Sequence, residues 1–394
     1  MISVEEAKNL IIENSHRLST VIQSVSESWN YIVAEDIISP ISYPPFNQSA
    51  MDGYAFRFSD YQQKNELRLI GEAPAGQPFK GVMNGGASVR VFTGGMIPVE
   101  ADTVVMQEHI SSLGQVIKIQ NENIFEGANI RLKGSVIKKG DIVMKSGMKV
   151  NPAAIGFLHS LGVTQIKVCK RPKVSILVTG DELIQPGLDL EEGKVYESNS
   201  SMLLSAINSV GINVQEITSS GDNKNQLLKR LTHLTGTSDV VFISGGVSVG
   251  DYDYVSECLT SLGADKIFHK VAQKPGKPFY FGKKDNCLVF GLPGNSASAL
   301  TCFYEYGLTA IKKMQGEENV FLKTVRLPIS KAISKKPGLA LFLKAKIEPQ
   351  HVVVADQQVS NDLGTFAISD CLVYIPADKE DVKTGESVEV HLIP

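Results

Sequence analysis

From Arg171 onward, short runs that are apolar throughout alternate with amphipathic ones, and this alternation restricts the fold more than any other feature of the chain. Residues 173–179 read KVSILVT and residues 239–243 read DVVFI, without the in–out alternation of a half-solvated strand. Such runs belong to strands buried on both faces, as in a parallel sheet covered by helices. Residues 287–290 supply a further strand, and residues 212–217 another. Helical periodicity over 200–210, 225–234, 253–262 and 296–314 supplies the covering layers, with Gly211 closing the first helix. Residues 173–318 are therefore expected to form a three-layer α/β domain with a mostly parallel sheet and right-handed crossovers.

The remaining residues follow other periods. Ser3 and Glu6 form a capping box, and Val4, Ala7, Leu10 and Ile11 give the opening helix one apolar face. Residues 41–147 are short β-branched or alternating runs, 88–92 and 103–106 among them, separated by glycines, which predicts mostly strands. Asn151 and Pro152 start a short helix that Gly162 ends. Beyond Gly316 short strands return at 320–329, 340–347, 352–355 and 371–375. A chain of 394 residues exceeds one core. The expected class is multi-domain α/β plus β, divided into a linking domain (1–40 with 148–172), a glycine-rich β domain (41–147), the α/β domain and a C-terminal β domain (319–394).

Bulk properties exclude several classes. A net charge of −3 gives no basic field for nucleic acid, so any anion site must be local. No basic segment precedes an apolar stretch at the start, and no apolar run reaches the ~20 residues of a membrane span. The five cysteines are scattered, with no Cys-x-x-Cys, against both a disulfide framework and structural zinc. A cytoplasmic protein is expected.

In an open α/β sheet, ligands bind beyond the carboxyl ends of the strands. Thr179-Gly180-Asp181-Glu182-Leu183 follows the first buried strand. Ser244-Gly245-Gly246-Val247-Ser248-Val249-Gly250-Asp251-Tyr252-Asp253 follows the second. Gly291-Leu292-Pro293-Gly294-Asn295-Ser296-Ala297-Ser298 leads from the last strand into a helix. The latter two are strand–turn–helix units whose free backbone N–H groups suit a phosphate. Glycines that merely turn a strand into a helix explain either loop alone equally well. Lys274 and Lys277, between Pro275 and Pro278, add two ammonium groups on one stiff turn, suited to a tetrahedral oxyanion. A solvated basic turn is the ordinary alternative. Asp181, Glu182, Asp251 and Asp253 set carboxylates beside the phosphate seat. A bare acidic cluster would repel the ligand there, so they point to Mg2+. Asp251 or Asp253 equally suits the cap of the next helix.

No dinucleotide or P-loop fingerprint is present. Gly246-Val247-Ser248-Val249-Gly250 satisfies the nucleophile-elbow pattern, with His269, His351 and His391 downstream. No oxyanion segment of the His-Gly-Gly type precedes it, and Asp251 and Asp253 would oppose ionisation of the serine. The seven histidines show no zinc-site spacing.

Taken in order, these segments resemble the MoeA / gephyrin E-domain family of molybdopterin molybdenumtransferases. The resemblance rests on residues 45–55 (PFNQSAMDGYA), Val91-Phe92-Thr93-Gly94, Gly127-Ala128-Asn129-Ile130-Arg131, 179–183, 244–253, 274–278 and 291–295. It implies a Mg2+-dependent reaction in which adenylyl-molybdopterin and molybdate yield molybdenum cofactor and AMP. It also implies a homodimer, with Asp52 of the partner subunit facing the glycine-rich loops. In that arrangement Glu182, Asp251 and Asp253 would hold Mg2+, and Asp52, Glu182, Asp253, Lys274 and Lys277 would carry the chemistry. Lys274, Lys277 and Ser298 would bind the molybdate oxygens. Thr93, Gly180, Asp181, Ser244, Gly245, Gly246, Ser248, Gly250, Pro293, Gly294, Asn295, Ser298, Lys344 and Thr365 would contact the pterin cofactor. The molybdopterin adenylyltransferase and recipient molybdoenzymes are the implied partners.

The chain departs from the family at Ser296, where proline is usual, and at Val136, where Gly134-Ser135-Val136 lacks an acid. Lys344 replaces an arginine and Thr365 a serine, and a lysine cannot clamp an oxyanion through two parallel bonds. A paralogue that binds cofactor without inserting metal, or a scaffold, is the alternative from another class.

Overall fold

The computed structural model describes residues 1–221, 223–246 and 254–394. Six strands form the central sheet: β1 (Val174–Thr179), β2 (Val214–Ser220), β3 (Val240–Ser244), β4 (Asp265–His269), β5 (Tyr280–Lys284) and β6 (Cys287–Leu292). Their order is β2-β1-β3-β6-β5-β4. Every residue of β1, β3 and β6 is buried, as their apolar sequences require, while the edge strand β2 alternates. One face packs Leu177, Val241, Ile243 and Val289 against Leu227, Leu231 and Leu234 of helix Lys224–Thr237 and Val255 and Leu259 of helix Tyr254–Ser261. The other packs Ile176, Phe242 and Phe290 against Leu203 and Ile207 of helix Asn199–Ser209 and against Phe303 and Tyr306.

Strands β2, β1, β3 and β6 are parallel. The expected mostly parallel sheet is present: β5 is the one reversed strand, antiparallel to β6 on one side and to β4 on the other, so β4 again runs with the parallel strands. The sequence reading missed both strands. The β5–β6 hairpin turns at Asp285 (φ 54°) and Asn286, a weaker signal than Asn-Gly.

The helix expected over 296–314 is interrupted. Ser296–Cys302 and Leu308–Met314 are α-helical, and Phe303–Gly307 between them is a π-turn. A Cβ on Gly307 would stand 2.6 Å from the Phe242 ring, so only glycine lets the turn sit this close to the sheet. The turn also brings Glu305 into the core. Burial raises its carboxyl pKa, but Lys8 Nζ at 2.6 Å and His391 Nδ1 at 2.7 Å outweigh burial and hold the group below its ordinary 4.5.

Three further β regions surround this centre. Residues 53–119 form a six-stranded sheet with Gly53–Phe56 and Ala87–Val91 in its interior. Thr20–Ser24 pairs with Gln165–Cys169, and Ile37–Ile38 with Ile142–Met144. The C-terminal sheet contains Ala340–Glu348, Cys371–Ile375 and Ser387–Leu392, the last not expected, and it takes Gln273–Lys274 as an edge strand. Helix Val4–Asn14, capped by Ser3 as expected, packs Val4, Ala7 and Ile11 into the core of the central sheet. No helix among the described residues is long and apolar enough to cross a membrane.

Replacing Glu305 by Gln is expected to cost ~3 kcal/mol at neutral pH, because Lys8 is left without its buried counter-charge. A carboxyl with a depressed folded pKa stabilises fully above 4.5 and loses that contribution as pH falls through the folded value. Urea unfolding should therefore show the gap between wild type and variant narrowing as the pH falls below 4.5. A gap independent of pH would contradict this.

Candidate active site

Register sets the site. Val178 pairs with Ser244 and Ser244 with Leu292, so β1, β3 and β6 end level with one another. Because β5 is antiparallel and Tyr280 pairs with Gly291, the turn preceding β5 lies at the same edge. A cleft of about 660 Å³ opens there. Its lining includes Gly180 and Glu182 after β1, Ser244, Gly245 and Gly246 after β3, Pro293, Gly294 and Asn295 after β6, and Pro278 before β5. Asp181 faces a smaller recess of about 230 Å³ beyond Gly180, with Ser219 and Ser220.

The glycine turns touch each other. Gly245 has φ 92°, and a Cβ there would stand 2.4 Å from the Thr179 carbonyl oxygen, a position open only to glycine. A Cβ on Gly294 would stand 3.9 Å from the Gly245 Cα, so the two turns are neighbours. Asn199 ties the two turns together, its Nδ2 donating to Ser244 Oγ at 2.7 Å and to the Gly294 carbonyl at 2.8 Å. Glu197, also lining the cleft, accepts from the Ser200 N–H at 2.8 Å and from its hydroxyl. The sequence reading found neither residue, since a polar side chain at a helix start reads as a cap. Thr179 Oγ1 and Asn199 Oδ1 are buried without hydrogen-bond partners among the described residues.

The lysine turn is more firmly built than its sequence suggests. Gln273–Lys274 pairs with Ala340–Leu341 in the C-terminal sheet. Buried Gln273 donates to the Pro275 carbonyl at 3.0 Å and accepts from the Tyr306 hydroxyl. Lys274 and Lys277 are exposed, with no carboxylate partner among the described residues.

Ser298, Lys344 and Thr365 stand behind the cleft lining. Ser298 is buried, and its N–H and hydroxyl both donate to the Ser360 carbonyl. Lys344 is buried as well, and its ammonium and the Thr365 hydroxyl both meet Asp362. Asn361 reaches the cleft from the same segment.

Asp52 and Thr93 lie on the N-terminal sheet and do not line the cleft of their own chain. The Thr93 N–H and hydroxyl each donate to Asp52 Oδ1 at 2.8 Å, and the backbone bond leads in holding the carboxyl below its ordinary value. Ser248, Gly250, Asp251 and Asp253 lie outside the described residues. Among the described residues, no three His, Cys, Asp or Glu side chains gather as a metal-ligand set.

Comparison with known proteins covers nearly the whole length. Residues 2–162 match the MoeA N-terminal region (domain I and II), residues 175–313 the probable molybdopterin binding domain, and residues 326–393 the MoeA C-terminal region (domain IV). A molybdopterin molybdenumtransferase of Haemophilus influenzae is 34% identical over 400 aligned residues, covering 99% of this chain and 98% of the relative. One from Staphylococcus aureus is 31% identical, covering 99% and 95%. The crystal structure of a molybdopterin biosynthesis MoeA protein from Pyrococcus horikosii superposes with a TM-score of 0.86 at 28% identity, covering 100% of this chain and 99% of that one. Similarity of this extent, in sequence and in fold, places the chain in the MoeA family of molybdopterin molybdenumtransferases.

Proposed function

We propose that this chain inserts molybdate into adenylyl-molybdopterin, releasing AMP and molybdenum cofactor, in the cytoplasm. The observation that carries the reading is the levelling of three glycine-bearing turns and a two-lysine turn along one sheet edge. Backbone N–H groups of residues 244–246 and 294–295 would hold phosphate oxygens. Lys274 and Lys277 would hold the incoming oxyanion. The chain needs no nucleophile of its own, because fixing the dithiolene, the oxyanion and the phosphates in one geometry lowers the barrier by position and electrostatics. Mg2+ would neutralise charge at the pyrophosphate, and Glu182 with Asp251 and Asp253 offers the oxygen-only donors that a hard cation takes. Thr93 would orient Asp52.

The chain divides, in this reading, into the four domains expected from its sequence. Separate apolar cores at 55–128 and 329–390, and a third that joins residues 25–37 to 144–168, support that division. A homodimer would complete the site. Asp52 is a polarised, exposed carboxylate that does not line its own cleft, so Asp52 of the partner subunit is the one assigned to it. The adenylyltransferase would deliver the substrate, and molybdoenzymes would receive the product.

Asp52→Asn and Glu182→Gln are each expected to abolish most AMP release while leaving the fold intact. Mixing the two inactive variants and allowing subunits to exchange should restore activity to about a quarter of wild type, since half the dimers then carry one intact site. No recovery, with exchange verified, would rule out a site shared between subunits.

Lys274→Ala and Lys277→Ala should each raise the molybdate concentration for half-maximal insertion about tenfold, the worth of one charge-assisted bond. Affinity for AMP should change less. Identical midpoints in molybdate titrations of wild type and both variants would leave the two lysines as solvated surface charges.

A further inference from the structure

Among the described residues lining the cleft, Asn361 alone comes from the C-terminal β region. It is exposed there, and its amide has no partner among the described residues. The segment that carries it is pinned from both sides. Asn295 Nδ2 donates to Ser360 Oγ at 3.1 Å, and Ser298 donates twice to the Ser360 carbonyl, from N–H at 3.1 Å and from Oγ at 3.3 Å. On the opposite side, Lys344 Nζ donates to the carbonyls of Val359 at 3.2 Å and Asp362 at 3.0 Å, and stands 3.5 Å from the Asp362 carboxylate. The Thr365 N–H donates to that carboxylate at 3.1 Å.

An ammonium has three hydrogens. Three oxygens of one short segment surround that of Lys344, its side chain is 5% exposed, and a carboxylate cancels its charge. No donor and little field remain for a ligand. Asn361 is the reverse case, a neutral amide whose two N–H donors are free among the described residues, on a segment bonded from both sides. Ser360 places it beside the oxyanion end of the cleft. Ser360 rests on Ser298, and Ser298 backs the lysine turn, where a Cβ on Gly276 would stand 3.6 Å from the Ser298 carbonyl oxygen.

We propose that Asn361 contacts the substrate by donating an N–H to the tetrahedral oxyanion, and that Lys344 is a positioning residue that holds Asn361 there, not an anion ligand. This rests on the molybdate-transfer reading above and assigns its oxyanion subsite.

The test is equilibrium binding of molybdate, and separately of AMP, to the full chain carrying Asn361→Ala, Asn361→Asp, Lys344→Met or Asn361→Ala with Lys344→Met. Asn361→Ala should weaken molybdate binding about tenfold, with the thermal midpoint and AMP affinity unchanged. Asn361→Asp should weaken molybdate further, since a carboxylate repels the dianion. Lys344→Met should weaken it comparably in the wild-type background and add little once Asn361 is already alanine, because a residue acting through another is non-additive with it. Additive losses would make Lys344 an independent anion ligand and overturn the assignment. Unchanged molybdate affinity in Asn361→Ala would overturn it too, as would a loss confined to AMP. A wild type that binds no molybdate would overturn the transfer reading and this inference together.

Discussion

Burial of β1, β3 and β6 on both faces is the constraint from which the site follows. Between two helical layers any displacement drives side chains shaped for one layer into the other, so the register is tightly set. The three strands therefore end level. Only with level ends do Gly245 and Gly294 approach each other, and only then does one asparagine, Asn199, reach both turns. The polar floor of the cleft is thus positioned by apolar packing beneath it, which spares it reorganisation when charge arrives.

The one reversed strand of the sheet does a different job. By reversing direction at β5, the chain brings a turn that precedes a strand to the edge where the other turns follow theirs. That turn is shared, since Gln273–Lys274 also closes the edge of the C-terminal sheet. The Ser360–Asp362 segment closes the same corner from the other side. At this corner hydrogen bonds to buried groups add to an apolar seam in which Phe342, Phe366 and Leu372 join the core of the central sheet. The carboxylate of Glu305, bonded to Lys8 and His391, ties the same regions together deeper in the core.

Much of this was legible in the sequence, for physical reasons that differ by element. The strands 174–179 and 240–244 could be read because full burial leaves an unbroken apolar run, and the turns after them because glycine marks backbone that other residues cannot adopt. β4 and β5 could not, since their partly exposed residues and three lysines carry no clean period. Asn199 and Glu197 were hidden by resembling helix caps. Lys344 was read by its charge, but its burial depends on a segment 15 to 18 positions downstream, and sequence spacing does not reveal such a fold-back. Asn361 was missed for the same reason.

The opening helix has a consequence for how the chain is made. Val4, Ala7 and Ile11 leave the ribosome well before the surface that buries them, which is built mainly from residues 174 onward. Ile2 likewise bridges to Val271, beside the lysine turn. At typical synthesis rates the apolar face of this helix waits on the order of tens of seconds for its partner strands, while the β regions between fold around their own cores. The apolar stripe of this helix thus stays exposed through much of translation, until the central sheet closes over it.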